Sequence, residues 1–135
     1  MDVKSFFSRI LKGSKGLNIP QSVREAFNKQ FDNPLNTEWT KTDHLYEAVF
    51  YKDELEHIAS YRSDGELLNL KVNLPLGTIP EPVSAMVKEH GELMNAIAIH
   101  EQDEVKYELI VRDENLIRFF LLVSSSGEVI EKEKL

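Results

Sequence analysis

The segment IPQSVREAFNKQF, residues 19–31, returns sixty positions later as IPEPVSAMVKEHG, residues 79–91. Both segments open with an Ile-Pro pair, and proline suits the first helical turn because its missing N–H would have no partner there. Apolar residues then recur every four positions, as with Val23, Phe27 and Phe31. This spacing predicts a helix with one apolar face in each segment.

The similarity continues through the residues that follow the two segments. A Tyr-Glu pair stands at 46–47 and again at 107–108, and a Gly-Glu turn stands at 65–66 and again at 127–128. The matches keep the same order, and their spacing grows only slightly, as expected for insertions in loops. We therefore expect two copies of one structural unit.

Four short β-like runs follow each predicted helix. They cover 36–42, 45–51, 56–62 and 66–73 in the first copy, and 95–102, 105–112, 117–124 and 128–134 in the second. Short turns between such runs join antiparallel neighbours. The sequence predicts an α+β fold of two tandem helix-plus-four-stranded antiparallel meander repeats, which form an extended or shared sheet with helices on one face, plus a short N-terminal amphipathic helix. The expected segments are 1–16 for that helix and its glycine connector, 17–74 for the first repeat and 75–135 for the second.

The N-terminal segment has a helical pattern of its own. Its apolar residues follow the spacing of one helix face; they are Val3, Phe6, Phe7, Ile10 and Leu11. Residues 1–16 carry four cations and one anion, whereas the rest of the chain is acidic. The candidate docking or membrane helix consists of Phe6, Phe7, Ile10 and Leu11. We favour docking on the chain's own domain, because so short a helix needs tertiary packing.

The same segment bears on location. Ser8 and Arg9 interrupt its apolar residues, so it lacks the unbroken apolar run of a signal peptide. The expected location is the cytoplasm. A periplasmic or secreted location is the alternative if a leader is missing from the sequence.

Composition excludes several kinds of function. The 135 residues include 0 Cys, which excludes disulfides, zinc ribbons and thiol nucleophiles. With 16 basic and 23 acidic residues the net charge is −7, so a broad nucleic-acid-binding surface is not expected. The four histidines lack HExxH or HxH spacing, and no GxSxG motif occurs. We expect no catalytic residue, no metal site, no cofactor and no enzyme activity.

Taken together, the motifs resemble those of the PepSY-like domain family of bacteria, whose members resemble the β-lactamase inhibitor protein in fold. The residues that carry the resemblance are Ile19, Pro20, Val23, Ala26, Phe27, Phe31, Trp39, Tyr46, Glu47, Ala48, Phe50, Tyr61, Asp64 and Gly65 in the first copy, and Ile79, Pro80, Val83, Tyr107, Glu108 and Gly127 in the second. The second copy departs from the pattern with Ala98 in place of Trp39 and Ser126 in place of Asp64. The resemblance covers residues 19–135 and implies a binding or inhibitor-like module rather than a reaction. Most members of the family are exported.

One predicted sheet face of the second copy is apolar. If Asp103-Glu104 forms the hairpin loop, Ala98 pairs with Leu109, and the neighbouring isoleucines turn away from the helix. The candidate interaction patch consists of Ile97, Ile99, Ile110, Phe120 and Leu122. The corresponding face of the first copy is mixed in character, and we expect it to be wet.

Three covers for this patch are consistent with the sequence: the N-terminal helix, a homodimer mate or a protein partner. Large exposed apolar patches usually mark interaction sites. We therefore expect a non-enzymatic protein- or peptide-binding module, inhibitor-like or regulatory, that uses its open sheet face. The alternatives are a membrane-surface or scaffold protein recruited through residues 1–16, and a small-ligand carrier. The expected partner is a protein or peptide, with no nucleic acid; membrane contact is not favoured, and a homodimer stays open.

Overall fold

The structure is a computed structural model that describes residues 17–135. Its α-helices are α1 (Gln21–Gln30) and α2 (Glu81–His90), and Leu76–Thr78 forms a short 3-10 helix. Its strands are β1 (Leu35–Thr42), β2 (Leu45–Lys52), β3 (Leu55–Arg62), β4 (Leu67–Asn73), β5 (Glu92–Glu101), β6 (Glu104–Arg112), β7 (Arg118–Ser124) and β8 (Val129–Lys134). The chain divides into two compact units, which within the described residues span 17–72 and 73–135.

The core of the first unit is aromatic. Trp39 lies opposite Ala48, and Ala48 lies opposite Ala59, so these side chains share the face that receives α1. From α1, Phe27 enters this face with its ring centroid 5.2 Å from that of Trp39 and 5.1 Å from that of Phe50. Both contacts are edge-to-face, the arrangement that aromatic quadrupoles prefer. Packing of these rings fixes α1 on its strands.

The core of the second unit is mainly aliphatic. Ala98 lies opposite Tyr107, which in turn lies opposite Val123. Val83 and Val87 of α2 are buried in the same cluster. In each unit we call the face that packs on the helix the core face, and the opposite face the outer face.

Each unit has a glycine turn that touches the first turn of its helix. Gly65 has a φ of +93°, and a Cβ at this position would lie 2.7 Å from the carbonyl oxygen of Ser22. Gly127 has a φ of +92°, and a Cβ there would lie 2.6 Å from the carbonyl oxygen of Pro82. Glycine is required at both turns because other residues rarely adopt this φ and because the helix backbone occupies the space of a side chain. The Gly-Glu pairs that recur in the sequence thus make the same contact in both units.

The hairpin between β5 and β6 turns one residue earlier than the sequence predicts. Its loop consists of Gln102 and Asp103, and Gln102 has a positive φ of 51°. As a result, Ala98 pairs with Tyr107 rather than with Leu109. Moving a two-residue loop by one position shifts the pairing by two residues. Because side chains alternate with a period of two, every residue keeps its face.

The predicted fold class is wrong in its arrangement. In place of two four-stranded repeats preceded by an N-terminal helix, the structure has one eight-stranded antiparallel sheet in the order β1 to β8, with two α-helices in the described residues. Residues 1–16, where the N-terminal helix is predicted, lie outside the described residues. Turn residues determine where a hairpin forms but not how many strands join one sheet. One sheet leaves two edges of unpaired N–H and C=O groups, whereas two separate sheets leave four, so the single sheet has fewer unpaired groups.

Candidate interaction face

All five residues of the candidate patch lie on the outer face of the second unit. Ile110 lies directly opposite Phe120, while Ile97 and Leu122 flank Glu108 on the neighbouring strands. Cross-strand partners share a face, and residues two apart in a strand share it as well. Ile97, Ile99, Ile110, Phe120 and Leu122 therefore form one continuous surface over β5, β6 and β7, which we call the outer patch.

The outer patch is largely buried. Ile97 is 0 % exposed, Phe120 is 1 % exposed and Ile99 is 6 % exposed, whereas Ile110 and Leu122 are half-buried. The cluster that packs around α2 is made of other residues, from the core face. The second unit is thus apolar on both faces of its central strands. Strands of this kind are usually covered on both sides.

A carboxylate lies at the centre of the outer patch. Glu108 is 3 % exposed and is flanked across the strands by Ile97 and Leu122. Carboxylates are almost never buried unless they are paired, because desolvation disfavours the charged form. The burial of Glu108 therefore implies that its carboxylate has a polar partner within the protein.

Charged residues border the outer patch, and most of them are acidic. Glu133 lies opposite Phe120 and Glu131 lies opposite Leu122, both on the exposed strand β8. The acidic residues that the register places on this face are Glu92, Glu101, Glu104, Glu108, Glu131 and Glu133. The basic residues are Lys106, Arg112 and Arg118. Arg112 binds Glu92, with 3.1 Å between Nη2 and Oε2, so the remaining field of the face is negative.

The outer face of the first unit is more buried than the sequence suggests. We expected a wet surface, but Ile58 is 0 % exposed and Glu47 only 2 %. The hydroxyl of Ser60 donates to Oε2 of Glu47 at 3.1 Å, and that of Thr42 donates to Oε1 at 3.2 Å. The sequence does not predict this burial, because a strand of mixed polarity is typical of an exposed face. The one pattern that could have indicated it is the repeated Tyr-Glu pair, whose glutamates, Glu47 and Glu108, are buried at corresponding positions of the two units.

Two histidines of the described region, His57 and His90, make packing or hydrogen-bond contacts. The ring of His57 stacks on Phe50 with centroids 5.2 Å apart, and its Nδ1 lies 2.8 Å from the carbonyl oxygen of Leu55. Nδ1 of His90 lies 3.0 Å from the carbonyl oxygen of Met86, at the end of α2. Between residues 17 and 135, no group of three or more acidic, histidine or cysteine side chains is arranged to hold a metal ion.

Two sequence features concern contact with a membrane. Among the helices of the described part of the chain, none is long and apolar enough to cross a membrane. The candidate docking or membrane helix, with Phe6, Phe7, Ile10 and Leu11, lies outside the described residues.

Comparison with known proteins identifies the fold. No protein-family model matches the chain, and no curated protein does. A candidate periplasmic protein from Bacteroides eggerthii is similar in structure, with a TM-score of 0.79 and 18% identity over 87% of this chain and 89% of that chain. A DUF2874 family protein from Bacteroides uniformis has a TM-score of 0.78 at 15% identity, over 87% of this chain and 90% of that chain. A BLIP-like protein from Bacteroides fragilis has a TM-score of 0.76 at 16% identity, over 90% of this chain and 89% of that chain.

These comparisons correct the expected location. The cytoplasm is contradicted by the candidate periplasmic protein of Bacteroides eggerthii, which has a similar structure. Compartment is decided by a targeting segment that is removed from the mature protein, so the folded residues do not encode it. At identities of 15% to 18% these similarities establish the fold alone. The chain has a BLIP-like fold.

Proposed function

We propose that this chain is a non-enzymatic, inhibitor-like module of the periplasm that binds a protein or peptide through the outer face of its second unit. The observation that carries the proposal is the outer patch itself. Five apolar side chains lie together on the sheet face opposite α2, with Glu108 at their centre and charged residues around them. An apolar centre with a polar rim is the usual anatomy of a protein interface.

The structural comparisons support three parts of this proposal. The BLIP-like protein of Bacteroides fragilis supports an inhibitor-like role, and the Bacteroides eggerthii protein supports the periplasm. Neither comparison points to an enzyme. We also propose that the chain is a member of the PepSY-like family, and the Ile-Pro helix starts at 19–20 and 79–80 support this assignment.

The chemistry of the outer face defines the kind of partner. Apolar side chains on the partner would pack on the half-buried Ile110 and Leu122, and basic side chains would meet the carboxylates of β8. Charge complementarity mainly increases the association rate and the specificity, while the apolar contacts supply most of the affinity. We therefore propose a partner segment that is both amphipathic and basic.

The test changes the half-buried residue Leu122, because the fold tolerates a new charge there better than at Phe120. The purified full chain is used to capture proteins from a periplasmic extract of its source organism. The affinity of each captured protein is then measured by calorimetry for wild type, Leu122→Glu and Ile130→Glu. Ile130 lies outside the outer patch and is 52 % exposed, so this variant is a charge-matched control.

We expect Leu122→Glu to weaken binding at least about tenfold, since truncating or charging a central interface residue costs more than about 1.4 kcal/mol. Ile130→Glu should bind like wild type, and circular dichroism should show that both variants are folded. Equal affinities for the two variants, or a loss confined to Ile130→Glu, would show that the outer patch is not the binding surface.

A further inference from the structure

Strand β8 of the second unit has an open side. Among the described strands it pairs only with β7, and all its residues, Val129–Lys134, are exposed. The N–H of Leu135 donates to the carbonyl oxygen of Arg118, and in an antiparallel pair every second residue turns its main-chain groups towards the neighbouring strand. The N–H and C=O groups of Lys132 and Lys134 therefore point away from β7. An open edge of this kind is a template for pairing with another strand.

The side chains of β8 are charged on both faces of the sheet. Glu131 and Glu133 lie on the outer face, whereas Lys132 and Lys134 lie on the core face. The amine of Lys132 lies over the ring of Phe119, 4.6 Å from its centroid, in a cation–π contact. The open edge of the second unit thus carries alternating charges instead of apolar side chains.

The corresponding strand of the first unit has different residues on its core face. Strand β4 pairs with β3 in the same register in which β8 pairs with β7, so Leu70 corresponds to Lys132 and Val72 corresponds to Lys134. In the order of the sheet β4 is an inner strand, whereas β8 is the last. The structural unit itself therefore does not require lysine at these positions. Charged side chains, lysine above all, commonly protect an open edge.

The order of the charges governs how two copies of β8 could meet. A two-fold axis perpendicular to the sheet pairs the same edge of two copies antiparallel and keeps the same face of both sheets on one side. Opposite residues then come from the same face, so glutamate meets glutamate and lysine meets lysine. Like charges directly opposite each other destabilise a strand pair. A shift by two residues, the smallest that keeps the faces together, only replaces one like-charged pair with another.

We propose that the alternating charges of β8 close this edge to antiparallel pairing with a second copy of the chain, so that two chains do not join into one continuous sheet. The inference is independent of the proposed function, which uses the outer patch on β5 to β7. It assigns a role to residues outside that patch, and it states what the edge excludes. Removal of the charges should therefore allow two chains to pair through β8.

The test removes the charges of β8 and leaves the net charge of the chain unchanged. The edge variant carries Glu131→Thr, Lys132→Val, Glu133→Thr and Lys134→Val, all of which suit a strand. The control has Lys132→Pro in place of Lys132→Val and is otherwise identical. It lacks the same charges, but proline has no N–H to donate to an added strand and is tolerated at an open edge. Sedimentation equilibrium of the full chain measures association, and circular dichroism shows whether each variant is folded.

We expect the edge variant to dimerise with a dissociation constant at least about tenfold lower than that of wild type, because several like-charged pairs are removed at once. The proline control should associate like wild type. An edge variant that associates no more tightly than wild type would overturn the proposal. So would a proline control that associates as tightly as the edge variant, since its association would not depend on strand pairing.

If the edge variant does not fold, two charged variants provide the same test without added apolar residues. One carries Glu131→Lys and Glu133→Lys, and the other carries Lys132→Glu and Lys134→Glu. In antiparallel pairing the lysines of one chain meet the glutamates of the other, so a mixture should form heterodimers that neither variant forms alone. Both chains keep a negative net charge, so their overall charge does not favour association. A mixture that associates no more than its components would contradict the role of the β8 charges.

Discussion

Replacing Gly127 by alanine tests whether the turn after β7 holds the helix of its unit in place. At a φ of +92°, an alanine is strained before it meets any neighbour. Its Cβ would also lie 2.6 Å from the carbonyl oxygen of Pro82 and 3.1 Å from the carbonyl carbon. The obstacle is helix backbone, which cannot rotate away as the end of a long side chain can. Either the turn or the first turn of α2 must move.

The expected loss of stability is about 2–4 kcal/mol. A left-handed conformation costs a residue with a Cβ about 1–2 kcal/mol. Displacing packed backbone adds a cost of similar size, within the range of about 1–3 kcal/mol for local strain. Gly77→Ala is the matched control, because a Cβ at Gly77 meets no heavy atom within 4 Å. We expect its free energy of unfolding to stay within about 0.5 kcal/mol of wild type.

Urea unfolding followed by far-UV circular dichroism measures both variants. We expect a lower midpoint for Gly127→Ala with an unchanged slope, since the surface exposed on unfolding stays nearly the same. A Gly127→Ala variant as stable as wild type would refute it, as would a Gly77→Ala variant that loses as much stability. Gly127→Asn refines the test, because asparagine tolerates positive φ better than alanine but brings the same Cβ. If the backbone contact matters, asparagine should recover only part of the loss.

Three further predictions concern the first unit. Phe27→Ala should lower the free energy of unfolding by about 3–5 kcal/mol, the usual cost of removing a buried aromatic ring, as measured by urea unfolding. Ser60→Ala should cost about 1–3 kcal/mol in the same assay, because it removes a hydrogen bond to the buried carboxylate of Glu47. The hydrogen bond of Tyr51 to Glu56, 2.9 Å long, and the charge of Glu56 raise the pKa of Tyr51 above its ordinary value. Glu56→Gln removes that charge, so an NMR titration should find a lower pKa for Tyr51 than in wild type.

Control measurements test each of these three predictions. Leu35→Ala, at a residue 62 % exposed, should leave stability nearly unchanged, and a loss equal to that of Phe27→Ala would contradict the aromatic core. Ser125→Ala changes an exposed turn serine and should be neutral, so equal effects at both serines would argue against the buried contact. A Tyr51 pKa that does not respond to Glu56→Gln would mean that another group sets it.

Much of the local structure could be predicted from the sequence. The two-residue loops at 43–44 and 53–54 appear where turn residues interrupt alternating strands, with Thr42 opposite Leu45 and Lys52 opposite Leu55. The β5–β6 loop was misplaced by one residue, yet the outer patch was assigned to one face. Face assignment survives such an error because it depends only on whether the pairing shifts by an even or an odd number of residues.

What the sequence determined by itself is therefore periodic and local: helix starts at the Ile-Pro pairs, hairpins at the turn residues, and which side chains share a face. Only the tertiary structure decided how many strands one sheet contains, and that Glu47, Ile58, Ile97 and Glu108 are buried on the outer face. The reason is physical. Alternation in a strand is set by backbone geometry within a few residues, whereas burial depends on which distant part of the chain, or which partner, lies on that face, and the strand's own residues do not encode it.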